Sequence, residues 1–444
     1  MNKQIQLSDH FSYGRLIRFV IPSVVMMMFT SIYGTIDGIF VSNFAGTTAF
    51  AAIGIVFPVI MIFGSFGFML GTGGNAIIGK TLGEGDRKKA NEFFTFVVIV
   101  TAVTGSILAL IGIAFAEPLV LLLGGEGEIL TLGVKYLRIV LIGTPFFMLQ
   151  NGFQNFFVTA ERPKLGLFVI IAAGVANIIL DALFVAVFNM GIEGAALATA
   201  ISQMIGGLTP VFYFASKNDS LLCFTKTKAY WRLLLSACYN GFSELLSNIS
   251  SSVVTICFNN RLLLHAGEDG VTAYGVIMCV SFIFVSIFIG FVIGSSPIVS
   301  FHYGAGNTDE LKNIRKKSLV IVFAAGGAML LSAALLSTPL CRLFVGDNDM
   351  LFEMTRFGYL INAISFLFAG FNIFGSAFFT ALNNGTVSAI ISFLRTLVFQ
   401  IGAVFLLSWL FELDGIWYSL IVSEVLSAVV TWIFLITNKK RYDF

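Results

Sequence analysis

Charge is scarce in this 444-residue chain: Lys, Arg, Asp and Glu together make up 11% of it. A typical soluble domain carries roughly 25%, so a soluble fold of this size lacks the charged surface it would need. Histidine is scarcer still: His10, His265 and His302 lie far apart and form no ligand set. The five cysteines (Cys223, Cys238, Cys257, Cys279 and Cys341) show no C-x-x-C spacing, so they read as small apolar residues and no metal site is expected. No HExxH, GxSxG or paired histidine is present, so an enzyme's catalytic set is missing. No cleavable leader is apparent, because the first apolar stretch, 19–42, is too long for a signal core and has no small-residue cleavage site after it.

Apolar residues are abundant. They form 57% of the chain, with 48 Phe and 44 Gly, and glycine is favoured where membrane helices approach closely. A bilayer core takes about 20 apolar residues in a helix. Twelve segments meet that length, at about 16–42, 50–74, 93–115, 137–158, 165–188, 194–215, 233–259, 271–297, 318–338, 357–380, 386–410 and 415–437.

The basic residues orient these spans. With the N-terminus placed in the cytoplasm, 20 of the 26 Lys and Arg fall on that side. Lys135, Arg138, Arg261, Arg342 and Arg356 fall outside, and Arg395 lies within a span. This positive-inside bias predicts cytoplasmic termini at both ends and an even number of spans in a cell membrane.

The chain repeats itself at an offset of 221. Gly54 meets Gly275, Gly73 meets Gly294, Gly83 and Gly85 meet Gly304 and Gly306, Asn151 meets Asn372, and Ser202 meets Ser423. The expected fold is therefore an all-α membrane protein. Its twelve transmembrane helices would form two six-helix lobes, related by a pseudo-twofold axis along the membrane normal, with a cavity between them. The expected boundaries are 1–216 for the first lobe, 217–230 for a cytoplasmic linker and 231–444 for the second lobe.

Five ionisable residues lie inside spans: Asp37, Asp181, Glu244, Arg395 and Glu424. Each is costly there and is a functional candidate. The acids do not follow the repeat, since Asp37 faces Phe258 and Asp181 faces Gly402. At 1.5 Å rise per residue, Asp37 and Asp181 lie roughly 9–10 Å below the outer ends of their spans, with Thr199 at about 8 Å. Asn177 is one turn from Asp181 on the same helix face. Two carboxylates, an amide and a hydroxyl suit a hard cation, or a proton shared between the acids. Glu244, Met26, Met27 and Asn151 are candidate cavity residues; the methionines can repack around varied ligands. Arg395 and Glu424 read as a structural ion pair.

Two motif matches fail on context. Gly74-Asn-Ala-Ile-Ile-Gly79-Lys80-Thr81 fits a phosphate loop, and Gly71-Thr-Gly73-Gly-Asn-Ala76 mimics a dinucleotide fingerprint. Both chemistries need a strand followed by a helix, whereas these residues close a membrane span. Close backbone packing accounts for the glycines instead.

The segment Ile36-Asp37-Gly38-Ile39-Phe40-Val41, followed by Ala51-Ala-Ile-Gly-Ile-Val-Phe-Pro58, resembles the first-span signature of the multidrug and toxic compound extrusion (MATE) family. The loop Leu82-Gly83-Glu84-Gly85-Asp86 resembles its second signature, echoed by Tyr303-Gly304-Ala305-Gly306-Asn307. Asn177-Ile-Ile-Leu-Asp181 and Gly194-Ala-Ala-Leu-Ala-Thr199-Ala-Ile-Ser202 also resemble the family. The resemblance covers nearly the whole chain and is nearest to a bacterial multidrug-exporter-like branch. It implies export driven by H⁺ or Na⁺ and a cation site at Asp37, Asn177, Asp181 and Thr199. It also implies a hinge at Pro22, where a helix-interior proline weakens a backbone hydrogen bond. One departure is that residues 357–380 lack the span-ten acid of one branch.

The expected function is antiport of amphipathic, often cationic organic compounds against H⁺ or Na⁺. A lipid-linked precursor flippase of the same superfamily is the nearest alternative. The expected partners are a small-molecule substrate, a coupling cation and the lipid bilayer, with no nucleic acid and no bound cofactor, in a functional monomer.

Overall fold

The computed structural model describes residues 5–346 and 348–443, and among them there are helices and no strands. The first lobe holds α1 (Tyr13–Phe40), α2 (Thr47–Gly83), α3 (Arg87–Ala114), α4 (Gly127–Thr159), α5 (Pro163–Asp181) and α6 (Gly191–Ala215). α1 continues as a π-helical turn, Val41–Ala45, and α5 as another, Ala182–Val187. A short helix, Ala116–Leu122, sits between α3 and α4.

The second lobe begins with one helical stretch, Trp231–Gly304, that turns at Gly267 (φ 61°, ψ −150°) and so makes two spans, α7 (231–266) and α8 (268–304). α9 (Thr308–Val345) and α10 (Asp349–Ala381) follow. The last stretch turns at Glu412 (φ 52°, ψ −126°), giving α11 (385–411) and α12 (413–437). α11 contains a third π turn, Leu394–Phe399. The expected twelve spans are present, and several run a turn or more past the apolar stretch read from sequence. Polar caps extend them: Asp86 accepts from the Lys89 amide at 3.0 Å to start α3, and Asn307 accepts from the Glu310 amide at 3.0 Å to start α9. These two caps are repeat partners. So are the glycines before them, Gly85 and Gly306, both in the left-handed region at φ 87° and 67°.

The lobes touch along the ends that carry the N-terminus and the basic loops. Here α2 crosses α8 with backbones in contact. A methyl group at Gly83 would overlap the Phe301 carbonyl oxygen, and one at Gly304 would overlap that of Lys80. α2 also crosses α7, where Gly73 faces the Ala237 carbonyl and Gly241 faces that of Met69. Such contacts are available only to glycine, and they draw the helices together where lipid gives no hydrophobic drive. Toward the opposite face the contacts stop. Gly54 on α2 and its repeat partner Gly275 on α8 are exposed, and a methyl group at either would meet nothing within 4 Å. The two lobes thus form a V, closed at the N-terminal face and open at the other.

The cores differ between lobes. The second lobe, together with α1, has one continuous apolar cluster. The first lobe has two, an inner one built on α2, α3, α4 and α6 and an outer one built on α2, α4 and the π turns. Between them lies a belt of buried polar side chains, Ser65, Thr144, Gln150, Asn151, Gln154 and Gln203.

Candidate functional site

The belt leads to the acidic cluster. α1 packs on α5 and α5 on α6, while the π turn after α1 touches both α6 and the π turn after α5. This arrangement gathers residues from four helices at one depth. Asp37 lies eight residues before the end of its π turn, Thr199 eight residues into α6 and Tyr136 nine into α4. At 1.5 Å per residue these are roughly 12–14 Å from the open-face ends. Asp181 is the last residue of α5, at the point where the helix widens into its π turn. π turns are rare and favour functional sites, because the extra residue displaces neighbouring side chains.

The Asp37 and Asp181 carboxyls interact with each other. Tyr136 neighbours Thr199 and lies within electrostatic reach of Asp37 and Asp181, and Tyr33 neighbours Gln150 and lies within electrostatic reach of Asp37. Asp181 is fully buried and Asn177 nearly so, at 0% and 2% exposure. One Asp37 oxygen, both Asp181 oxygens, the Asn177 carbonyl oxygen and the Thr199 hydroxyl have no hydrogen-bond partner among the described residues. No Lys, Arg or His among the described residues forms an ion pair with either acid. Buried polar atoms are almost always satisfied. Five buried oxygens left without partners in one place are therefore an exception, and they mark this cluster as the candidate site.

Other expected site residues lie elsewhere. Asn151, 2% exposed, sits in the polar belt and donates to the Gly64 carbonyl at 3.5 Å. Met26 and Met27, at 1% and 7% exposure, are packed into the apolar cluster of α1 with the second lobe and face no open space. Pro22 is buried inside α1, one turn before them. Glu244 is half-buried on α7, three residues from the Gly241 crossing, with no ion-pair partner among the described residues and no charged neighbour acting on it. It therefore stands apart from the Asp37 cluster, near the point where the V closes.

Arg395 and Glu424 form the expected ion pair. Arg395 Nε donates to both Glu424 oxygens at 2.9 and 3.1 Å, and its Nη2 lies 2.8 Å from Oε1. Asn372 donates to Glu424 Oε2 at 2.7 Å, and Thr431 donates to Asn372 at 3.2 Å. The repeat partners of Asn372 and Glu424 are Asn151 and Gln203, and that of Arg395 is Gly174. The second lobe thus fills with a closed ion-pair network the place where the first lobe keeps open amides. Likewise Phe258, the partner of Asp37, stacks on Tyr274 with centroids 5.0 Å apart.

Sequence reasoning missed Tyr33, Tyr136, Gln150, Gln154 and Gln203. The side-chain oxygens of all three glutamines are buried without partners among the described residues. The available signal was the i, i+4 spacing of Gln150 and Gln154 within an apolar span.

The helices make this a multi-pass membrane protein, and its family and relatives make it a transporter and not an enzyme. The chain matches the MatE family over residues 22–183 and 242–406, one match in each lobe, and it belongs to that family. It is similar to the multidrug export protein MepA of Staphylococcus saprophyticus, 26% identical over 443 residues, with 96% of this chain and 94% of that protein covered. It is also similar to MepA of Staphylococcus aureus (strain MSSA476), 24% identical, with 97% and 94% covered. Among solved structures, it superposes on an outward-facing multidrug resistance MATE family transporter of the MOP superfamily with a TM-score of 0.93. That pair is 22% identical, and 100% of this chain and 99% of the other are covered.

Proposed function

We propose that this protein exports amphipathic, often cationic small organic compounds in exchange for H⁺ or Na⁺. The cluster of five unpartnered oxygens at Asp37, Asp181, Asn177 and Thr199 carries this reading. Two facing carboxylates in apolar surroundings repel one another, so a proton or a sodium ion between them relieves the repulsion. The similar staphylococcal proteins are named multidrug export proteins, which supports export of varied small compounds.

In this scheme the V opens to the outside, both termini are cytoplasmic, and the lobes divide at 1–216 and 231–444 with 217–230 as linker. A bend of α1 at Pro22 moves its outer part, which bears both Asp37 and the buried Met26 and Met27. Ion binding at Asp37 is thereby linked to exposure of the methionines in the cleft. Asn151 and Glu244 offer polar contacts to a cationic substrate along the cleft, and a single chain suffices.

The test is transport by the purified protein in proteoliposomes, with pH and Na⁺ gradients imposed independently. One gradient is expected to drive substrate movement, and Asp37→Asn to abolish it. Gradient-driven export by Asp37→Asn at the parent rate would overturn the assignment.

A further inference from the structure

Residues 5–12 precede α1 and run across the closed face. Leu7 and Phe11 are fully buried on this non-helical segment. Its two ends are held by different lobes. The Leu7 amide donates to Glu161 Oε1 at 2.6 Å, in the α4–α5 loop of the first lobe. The Phe11 amide donates to Glu310 Oε1 at 2.9 Å, at the start of α9 in the second. The Phe11 carbonyl accepts from Asn313 Nδ2 at 3.0 Å and Lys317 Nζ at 2.6 Å, one face of α9. His10 Nδ1 lies 2.6 Å from Glu310 Oε2. The Phe11 ring packs edge-on against Phe19 of α1 and His302 of α8, with centroids 5.8 and 6.5 Å away.

The linker mirrors this arrangement. It precedes α7 and docks on α3: Cys223 donates to Asn91 Oδ1 at 2.9 Å, Thr225 to Thr95 Oγ1 at 3.1 Å, and Thr227 Oγ1 to the Glu92 carbonyl at 2.8 Å. Each lobe's first helix is thus led in by a segment tied to the third helix of the other lobe.

We propose that residues 5–12 are a releasable strap that holds the closed face of the V shut, and that the Phe11–Glu310 anchor lets go when that face opens. Leu7 and Phe11 are four residues apart, so their anchors can separate by at most about 14 Å while both hold. α1 and Glu161 belong to the first lobe, so the contact with α9 is the one that a parting of the lobes strains.

The experiment places spin labels at Lys88→Cys on α3 and Lys316→Cys on α9, in a chain whose five cysteines are serine, reconstituted in nanodiscs. The parent should give a short inter-label distance, and Phe11→Ala should move at least about threefold more of the population to a longer one. An unchanged distribution would overturn the strap. In case Phe11→Ala fails to fold, a second protein carries His10→Cys and Glu310→Cys joined by a short reducible cross-linker. Linking should stop export and reductant should restore it; export unaffected by linking also overturns the proposal. The cross-link arm rests on the transport reading above. The distance arm uses neither substrate nor ion, so failure of the strap and failure of that reading are told apart.

Discussion

At the scale of single residues, what was legible in the sequence was charge. An Asp or Glu in an apolar run stands out because it is costly there, so Asp37, Asp181, Glu244 and the Arg395–Glu424 pair could all be read. Neutral partners could not. Gln150, Gln203 and Tyr136 differ little from packing residues until the fold shows the glutamines buried without partners among the described residues and Tyr136 within electrostatic reach of the acids. The ion pair gives a sharp expectation. Removing one buried partner leaves the other uncompensated, so Arg395→Met should destabilise by about 3–5 kcal/mol, while Arg395→Met with Glu424→Met should be close to neutral. Thermal unfolding of the detergent-solubilised variants reads this difference. Glu161, in a loop outside the spans, gives another. Burial pushes its carboxyl above the usual range, against the smaller opposing pull of the Leu7 amide. A raised acid favours the folded state while protonated. Its stabilising effect is complete below the unfolded value near 4.5 and fades as pH rises through the folded value. Glu161→Gln should therefore flatten the melting temperature across that window, as a thermal shift series from pH 4 to pH 8 would show.

At the scale of elements, span number was readable because apolar length is set by bilayer thickness. The three π turns were not, since nothing in the local pattern of 41–45, 182–187 or 394–399 distinguishes them from α-helix. Each nonetheless adjoins or contains an intramembrane ionisable residue, Asp37, Asp181 and Arg395 respectively. The glycines were visible as repeat matches, but only the structure separates those that seal the closed face from those that face open space. Gly83→Val would force α2 from the Phe301 backbone, where neither side can yield. It should populate the conformation open at the N-terminal face, giving faster maleimide labelling of a cysteine placed at Ser300. Gly54→Val, with open space around it, should leave that labelling rate unchanged.

At the scale of the whole molecule, the 221-residue repeat foretold the two lobes, because duplicated turn and helix-end residues encode backbone architecture directly. It could not foretell that one lobe would have a single core and the other a divided one, since that depends on which side chains meet across helices. Orientation rests on the basic residues. A cysteine at Lys88 should react with impermeant maleimide only in inside-out vesicles, and one at Glu128 only in right-side-out cells.

The closed ion-pair network of the second lobe also bears on the energy available to the proposed exchange. In the proposed exchange the second lobe offers no counterpart to the acidic cluster, since Phe258 and Gly402 stand opposite Asp37 and Asp181, and ion coupling is left to the first lobe alone. One monovalent cation crossing a membrane at 100 mV releases about 2.3 kcal/mol. For a neutral compound exchanged one for one, that corresponds to a roughly 50-fold concentration ratio per 100 mV, a ceiling that a second working lobe would have raised to the square.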